Sequence, residues 1–346
     1  MENCCSEKNK SCGCGNTVKA VKASTKLSFS DIMGSWKVRW GINRMNYKVD
    51  PGLYCVGQPD INSPVLVTAN YKMSFDVLRK ELTDISAWII VLDTKGVNVW
   101  CAAGKGTFGT EELIKRIEKT ELSKVVEHRT IILPQLGAVG VSAHKVQKRS
   151  GFKVVYGPVR AEDIPIFLNS GMKADKEMRT VRFNFVDRTI LTPVEIVGVI
   201  KPSLMIFGIM FLLNLVGFSR FTGTDVYYYL GALLVGCVLV PMLLPWIPGR
   251  AFSFKGWLLG FLWAASVITI NGCFKSIDYG ILTSIAYLLI LPTVSAYCAM
   301  NFTGCSTYTS FSGVIKEMKI SIPIMAVTIG LGIILLIAGN LLSVLF

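Results

Sequence analysis

The sequence predicts an α/β domain with a parallel sheet, followed by an all-α transmembrane domain of five helices. Two observations predict it. After Lys201 come five uncharged stretches, 202–219, 226–247, 256–274, 279–300 and 321–346. Each is long enough to cross roughly 30 Å of hydrocarbon as a helix. Before Lys201, short apolar runs alternate with amphipathic segments, the pattern of strands joined by crossover helices. The expected organisation is a disordered Cys-rich tail over 1–26, an α/β domain over 27–200 and the transmembrane domain over 201–346.

The elements follow in order. From Phe29, the residues Ile32, Met33, Trp36 and Trp40 recur at helical spacing. This helix is expected to pack on the domain, with a helix lying on the membrane surface as the alternative. Pro51-Gly52 and Pro59-Asp60 punctuate the chain. Strands are expected at 65–68, 87–92, 130–133 and 153–156. Helices are expected at 74–82, 110–118, 141–149 and 163–169. The alternation predicts a Rossmann-like parallel sheet wrapped by helices. Ligands in such sheets bind beyond the carboxyl ends of the strands. Thr68 to Asn70, Asp93 to Lys105, Pro134 to Gly137 and Gly157-Pro158 therefore converge on one rim.

Composition bounds the rest. Hydrophobic residues make up 51% of the chain and the net charge is +13. Most of that charge precedes Lys201, and a surface beside anionic lipid accounts for it without nucleic acid. Lys201, Arg250, Lys255, Lys316 and Lys319 flank the apolar runs on the side of the N-terminal domain, against Arg220 and Lys275 on the other. By the positive-inside rule the protein is a multi-pass protein of the cytoplasmic (inner) membrane, with its α/β domain cytoplasmic and Phe346 outside.

The run Asn98-Val99-Trp100-Cys101-Ala102-Ala103-Gly104-Lys105 stands out within this frame. It puts one cysteine among small residues just beyond an apolar strand. Small residues let something large and flat approach the backbone, and a thiolate is a soft, strong metal donor. The plain alternative is a small-residue turn holding a buried cysteine. Four more cysteines, Cys4, Cys5, Cys12 and Cys14, crowd the N-terminus. Their spacing fits neither a zinc knuckle nor a ferredoxin cluster, and both soft-metal handling and an incidental tail stay open. No GxxxxGK[ST] loop is present, and no GxGxxG follows a strand. The only histidines, His128 and His144, lie outside any Asp-x-His-x-x-Gly context and are expected to be structural.

Residues from about Trp36 to Pro193 resemble the corrinoid-binding domain of the corrinoid iron–sulfur protein large subunit. The stretches that carry this are Pro51 to Tyr54, Ser63 to Lys72 and Gly157 to Arg160. The run Asn98 to Lys105, with five membrane helices after it, resembles the mercury-methylating corrinoid proteins. The resemblance implies a corrinoid (cobalamin, base-off) with Cys101 as the lower axial cobalt ligand and catalytic residue. It implies that Asn98, Val99, Trp100, Ala102, Ala103, Gly104 and Lys105 shape the corrin floor, that Thr68 and Ser74 face the ring, and that Gln135, Gly137, Gly157 and Pro158 lie by the nucleotide tail. The activity it implies is a corrinoid-dependent methyltransferase passing methyl from cobalt to Hg(II). Implied partners are a ferredoxin-like iron–sulfur protein as electron donor, which also delivers mercury, a methyl donor protein and the membrane. Two alternatives stand beside this: a corrinoid methyl carrier of one-carbon metabolism, and a membrane transporter or sensor with a corrinoid-binding domain.

Overall fold

A computed structural model of the chain describes residues 20–217, 221–270 and 280–345. Cys4, Cys5, Cys12, Cys14, Arg220, Lys275 and Phe346, on which expectations above rest, lie outside the described residues. The chain divides into two compact units, one holding the residues up to Val38 with Ile42–Val181, the other Arg39–Gly41 with the residues from Arg182 on.

The first unit carries the strands β1 (Val21–Lys22), β2 (Gly52–Val56), β3 (Val65–Ala69), β4 (Ala87–Leu92), β5 (Thr130–Leu133) and β6 (Lys153–Tyr156). Its helices are α1 (Phe29–Arg39), α2 (Lys72–Lys80), α3 (Val99–Gly104), α4 (Thr110–Lys119), α5 (Leu122–Val125), α6 (Ala143–Ser150) and α7 (Ile164–Asn169). The sheet runs β1-β2-β4-β3-β5-β6. Within it β4, β3, β5 and β6 are mutually parallel, as the sequence predicts. Every residue of β3 and β4 is buried, which explains their unbroken apolar runs, since a parallel sheet is covered on both faces. Leu66, Ile89 and Val91 pack with α2 and α7, while Val67, Ile90 and Leu92 pack with α4 to α6. The strand that follows β3 in the chain lies on one side of it and the next two on the other. The chain therefore switches direction between β3 and β5.

Beyond β1, which lies inside the segment expected as a tail and pairs parallel with β2, Val21 opposite Tyr54, two features differ from expectation. β2 pairs antiparallel with β4, Leu53 opposite Ile90 and Tyr54 opposite Ile89, and makes the sheet mixed. Pro51 sits just before this strand, where its missing N–H costs the ladder nothing, so Pro51-Gly52 marks an entry rather than an interruption. The second difference is α1. The helix forms, but its apolar stripe does not pack on the domain: Phe29 is 78% exposed and Trp36 60%. The opposite side packs instead, through buried Val38, through Gly34 against the Tyr47 ring, and through Asp31.

Asp31 bonds to Lys72 at 2.5 Å and to Arg79 at 2.8 Å, and Asp76 bonds to the same two cations at 2.7 and 2.8 Å. Two acids and two bases neutralise each other in a largely dry site, which is the condition for a buried ion network to be tolerated. Burial alone pushes the Asp31 carboxyl up, but the bonds from Lys72 and Ser28 outweigh it and hold the group far below the usual carboxylate range. A depressed carboxylate gives stability that is full above its unfolded value near pH 4 and is lost as pH falls towards the folded value. Asp31→Asn is expected to cost the α/β unit about 3 kcal/mol and to flatten its loss of stability below about pH 4. Amide exchange at the β3 and β4 backbone of the full chain reads both effects.

The second unit contains α8 (Phe185–Leu215), α9 (Gly223–Leu234), which runs through a π-helical turn into α10 (Val240–Leu243), α11 (Phe252–Ile270), α12 (Ile281–Asn301) and α13 (Phe311–Leu345). These form five helices long and apolar enough to cross a membrane, and the chain is a multi-pass membrane protein. Prolines shape the end of the second span. Pro245 and Pro248 have no N–H, so the carbonyls of Pro241 and Leu244 lose their helical donors. Buried cations replace them: Arg188 Nε donates to Pro241 O at 2.9 Å, and Lys255 Nζ donates to Leu244 O at 2.6 Å and Ile247 O at 2.8 Å. Lys255, expected as a flanking charge, is thus an internal cap.

α11 meets α12 through Gly256 and Gly260, one turn apart. A Cβ at Gly256 would lie 2.6 Å from Ser295 O, and one at Gly260 2.8 Å from Pro292 Cα. Such small-residue spacing lets two backbones approach closely where no hydrophobic force drives helices together. Gly260→Leu is expected to separate α11 from α12 and lower the melting temperature of the detergent-solubilised chain, whereas Gly280→Ala, with open space around it, is expected to leave it unchanged.

Candidate functional site

The Cys101 segment is held by one amide. Asn70 follows β3, and its Oδ1 accepts from Thr94 N at 3.1 Å and Gly96 N at 2.9 Å, with the Thr94 hydroxyl 2.8 Å away. These bonds shape the loop leaving β4, where Lys95 and Gly96 both take positive φ. On the far side Asp93 N donates to Glu112, which pairs with Arg116, whose guanidinium reaches Pro51 O. Asn98 then caps α3, its Oδ1 accepting from Cys101 N at 2.9 Å. Asn70 is buried and belongs to the Ser63 to Lys72 stretch, but sequence reasoning placed it only at a strand end. Its side chain holds the loop.

α3 has two sides. Cys101 is exposed, as are Gly104 and Lys105. Ala102 and Ala103 face inward and belong to the apolar core. Beneath them runs the loop after β5. A Cβ on Gly140 would lie 2.1 Å from Phe108 O and 3.1 Å from Ala103 Cα, and one on Gly137 would lie 2.5 Å from the Phe108 ring. Gly137 permits this close approach.

A cavity of about 310 Å³ opens at the carboxyl ends of β3 and β5, where the chain switches direction. This is where open parallel sheets bind ligands. Of the residues expected at a site, Thr68, Ser74, Asn98, Val99, Trp100, Gly157 and Pro158 line it. Cys101 stands next to Trp100 at its edge without lining it. Gln135 lies beside it, its N–H donating to Pro158 O at 3.3 Å and its side chain held by Arg179 at 3.1 Å. Sequence reasoning missed the α2 wall, Met73, Val77 and Leu78. Their spacing with Ser74 puts all four on one helical face, which was the available signal. The lining is mostly apolar, with Thr68, Ser74 and Asn98 as its small polar groups, the usual composition of a cofactor pocket. Among the described residues no cluster of three or more His, Cys, Asp or Glu is placed to hold a metal ion. Cys101 is a lone thiol. His128 Nε2 lies 2.9 Å from Ser63 O and His144 Nδ1 3.1 Å from Ser142 Oγ, away from the cavity.

Residues 32–168 match the family described as CO dehydrogenase/acetyl-CoA synthase delta subunit. The chain is 36% identical over 123 residues to the acetyl-CoA decarbonylase/synthase complex subunit gamma of Methanopyrus kandleri, covering 35% of this chain and 26% of that protein. It is 34% identical over 124 residues to the same subunit of Methanocaldococcus jannaschii, covering 35% and 25%. It is 31% identical over 127 residues to the corrinoid/iron-sulfur protein large subunit of Moorella thermoacetica, covering 36% and 28%. The α/β unit is related to these proteins. The chain spans about a quarter of the length of the curated relatives it matches.

These relatives correct one expectation. They are subunits of acetyl-CoA decarbonylase/synthase complexes and of a corrinoid/iron-sulfur protein, and they favour the methyl-carrier alternative over methyl transfer to Hg(II). The physical reason is that the likeness lies in a scaffold and its pocket. Such a scaffold fixes the shape of a cofactor site and does not specify the methyl acceptor.

Gly140→Ala is expected to displace the 103–109 segment and to destabilise the unit by about 3 kcal/mol, because the added carbon meets backbone on both sides. Asn70→Ala is expected to leave β3 and β4 protected from amide exchange while Thr94 to Gly96 exchange at least about tenfold faster, since two buried donors lose their acceptor. Equal exchange in the loop would show that Asn70 does not hold it.

Proposed function

We propose that this chain is a membrane-anchored corrinoid protein that carries methyl groups in one-carbon metabolism. The observation that carries this reading is the position of the cavity. It lies at the sheet's switch point, and every residue that lines it falls inside the segment 32–168 that matches the family. The names of the relatives supply the cofactor class and the metabolic setting.

The residues present suit a corrinoid. The apolar cavity between α2 and the loops after β5 and β6 would receive the cofactor's nucleotide. Asn98, Val99 and Trp100 line it and would face the ring. When bound, the corrinoid supplies a cobalt centre that takes up and gives away a methyl group. In this reading Cys101 Sγ would hold the cobalt. Its exposure leaves it open to a ligand, and the Asn98 cap fixes its backbone. Thr68 and Ser74 offer hydroxyls to the cofactor's polar edge. Trp100, 43% exposed beside Cys101, gives the rim a flat apolar surface. Ala102 and Ala103 act from below, keeping α3 pressed to the core so that Cys101 points outward. Gln135 and Gly137 position the loop after β5.

An iron–sulfur protein that reduces the cobalt and a methyl donor protein are the partners this chemistry needs. The basic residues Lys201, Arg250, Lys316 and Lys319 support a cytoplasmic α/β unit with the last helix ending outside. The division near 200 into corrinoid domain and membrane domain belongs to the same reading.

The test is corrinoid binding by the full chain, followed by absorption. Wild type is expected to bind cobalamin in its base-off form. Val77→Trp, which fills the cavity from a partly exposed helix position, is expected to weaken cobalamin at least about tenfold and to affect cobinamide, which lacks the nucleotide, much less. Cys101→Ala is expected to retain the corrinoid but change the cobalt absorption bands. Absence of binding by wild type would overturn the reading. Identical spectra for wild type and Cys101→Ala would remove the thiolate from it.

A further inference from the structure

Helix α1 is mounted with its apolar side outward. Phe29, Ile32, Met33, Trp36 and Trp40 fall at i, i+3, i+4, i+7 and i+11, a single stripe along the helix. All five are exposed, between 40% for Met33 and 78% for Phe29. The opposite side is tied down by Asp31 to Lys72 and Arg79, by Gly34 against Tyr47 and by buried Val38. A surface helix ordinarily does the reverse, so the stripe is held out for something other than the core.

Three observations say what covers it. The first is composition: two of the five stripe residues are tryptophan and one is phenylalanine, and tryptophan settles at the boundary between hydrocarbon and headgroups. The second is charge. Lys37 and Arg39 border the stripe and Arg44 follows it, none of them ion-paired among the described residues, and the one acid of the helix, Asp31, is already neutralised. This is a basic-flanked interfacial helix suited to anionic lipid. The third is continuity with the spans. Gly41, directly after the stripe, packs on α8, where a Cβ would lie 3.1 Å from Val197 Cγ1. Val197 lies between Glu195 and Lys201, the last charges before α8 becomes uncharged.

We infer that α1 is an interfacial anchor whose Phe29–Trp40 stripe lies in the headgroup region of an anionic bilayer. This rests on the five apolar helices being membrane spans, and it is independent of the corrinoid reading. The polar mounting turns the helix so that lipid, rather than the domain's own core, buries its aromatic residues.

The test is oxidative footprinting of the full chain in nanodiscs that hold one chain each, in phosphatidylcholine with phosphatidylglycerol. Trp100 is similarly exposed and lies outside the stripe, so it serves as the solvent reference. Trp36 and Met33 are expected to be oxidised at least about fivefold more slowly than Trp100, and the protection is expected to shrink in pure phosphatidylcholine. Ile32→Glu with Trp36→Glu changes only exposed positions and is expected to remove the protection at Met33 while the chain still assembles into discs. Oxidation of Trp36 as fast as Trp100 in the anionic discs would overturn the inference. Protection that appears only in discs holding two chains would overturn it too, assigning the stripe to a second copy. Failure of the wild-type chain to enter discs at all would instead strike the membrane reading itself.

Discussion

The acceptor oxygen of Asn70 is the point on which the candidate site depends. It gathers donors from Thr94 and Gly96 in the loop that leaves β4. A loop with two consecutive positive-φ residues has few ways to satisfy its own backbone. The side chain of a neighbouring strand end does that work from a buried position. Once the loop is fixed, Asn98 is delivered to the start of α3, and Cys101 follows within one turn. The Glu112–Arg116 pair and the close approach of Gly140 to Phe108 hold the same segment from its other sides. The exposed thiol therefore sits on a short helix whose Ala102 and Ala103 are packed into the core.

Charge inside this protein does structural work in both units. In the α/β unit, Asp31, Asp76, Lys72 and Arg79 tie α1 to α2 as a neutral set. In the membrane unit, Arg188 and Lys255 supply the donors that Pro245 and Pro248 take away. A carbonyl without a partner in a low-dielectric setting costs more than a cation that finds several acceptors at once. The two prolines and the two cations are best understood as one arrangement.

The fold was readable because its signals are local. The four parallel strands appear as apolar runs, and their helices lie within about two residues of the expected bounds, the usual uncertainty of helix ends. β2 escaped notice because an edge strand announced by Pro-Gly looks like a turn until its partner is known. α1 was found but its orientation was not, since periodicity identifies a stripe without saying whether protein or lipid covers it. The run Asn98 to Lys105 was singled out for its small residues, yet two different uses lay within it. Cys101 faces out, while Ala102 and Ala103 belong to the core, a division that one helical turn decides.

By itself, then, the sequence determined an α/β unit ahead of five apolar helices, the strands that end at the rim, and the cysteine that stands there. These follow from burial and from backbone periodicity, which every residue expresses alone. The tertiary structure decided which strand ends meet. It placed the cavity between β3 and β5 with α2 as its wall, and turned the aromatic face of α1 away from the core. Those outcomes depend on contacts between residues far apart in the chain, and a linear pattern carries no record of which distant partner fills a given space.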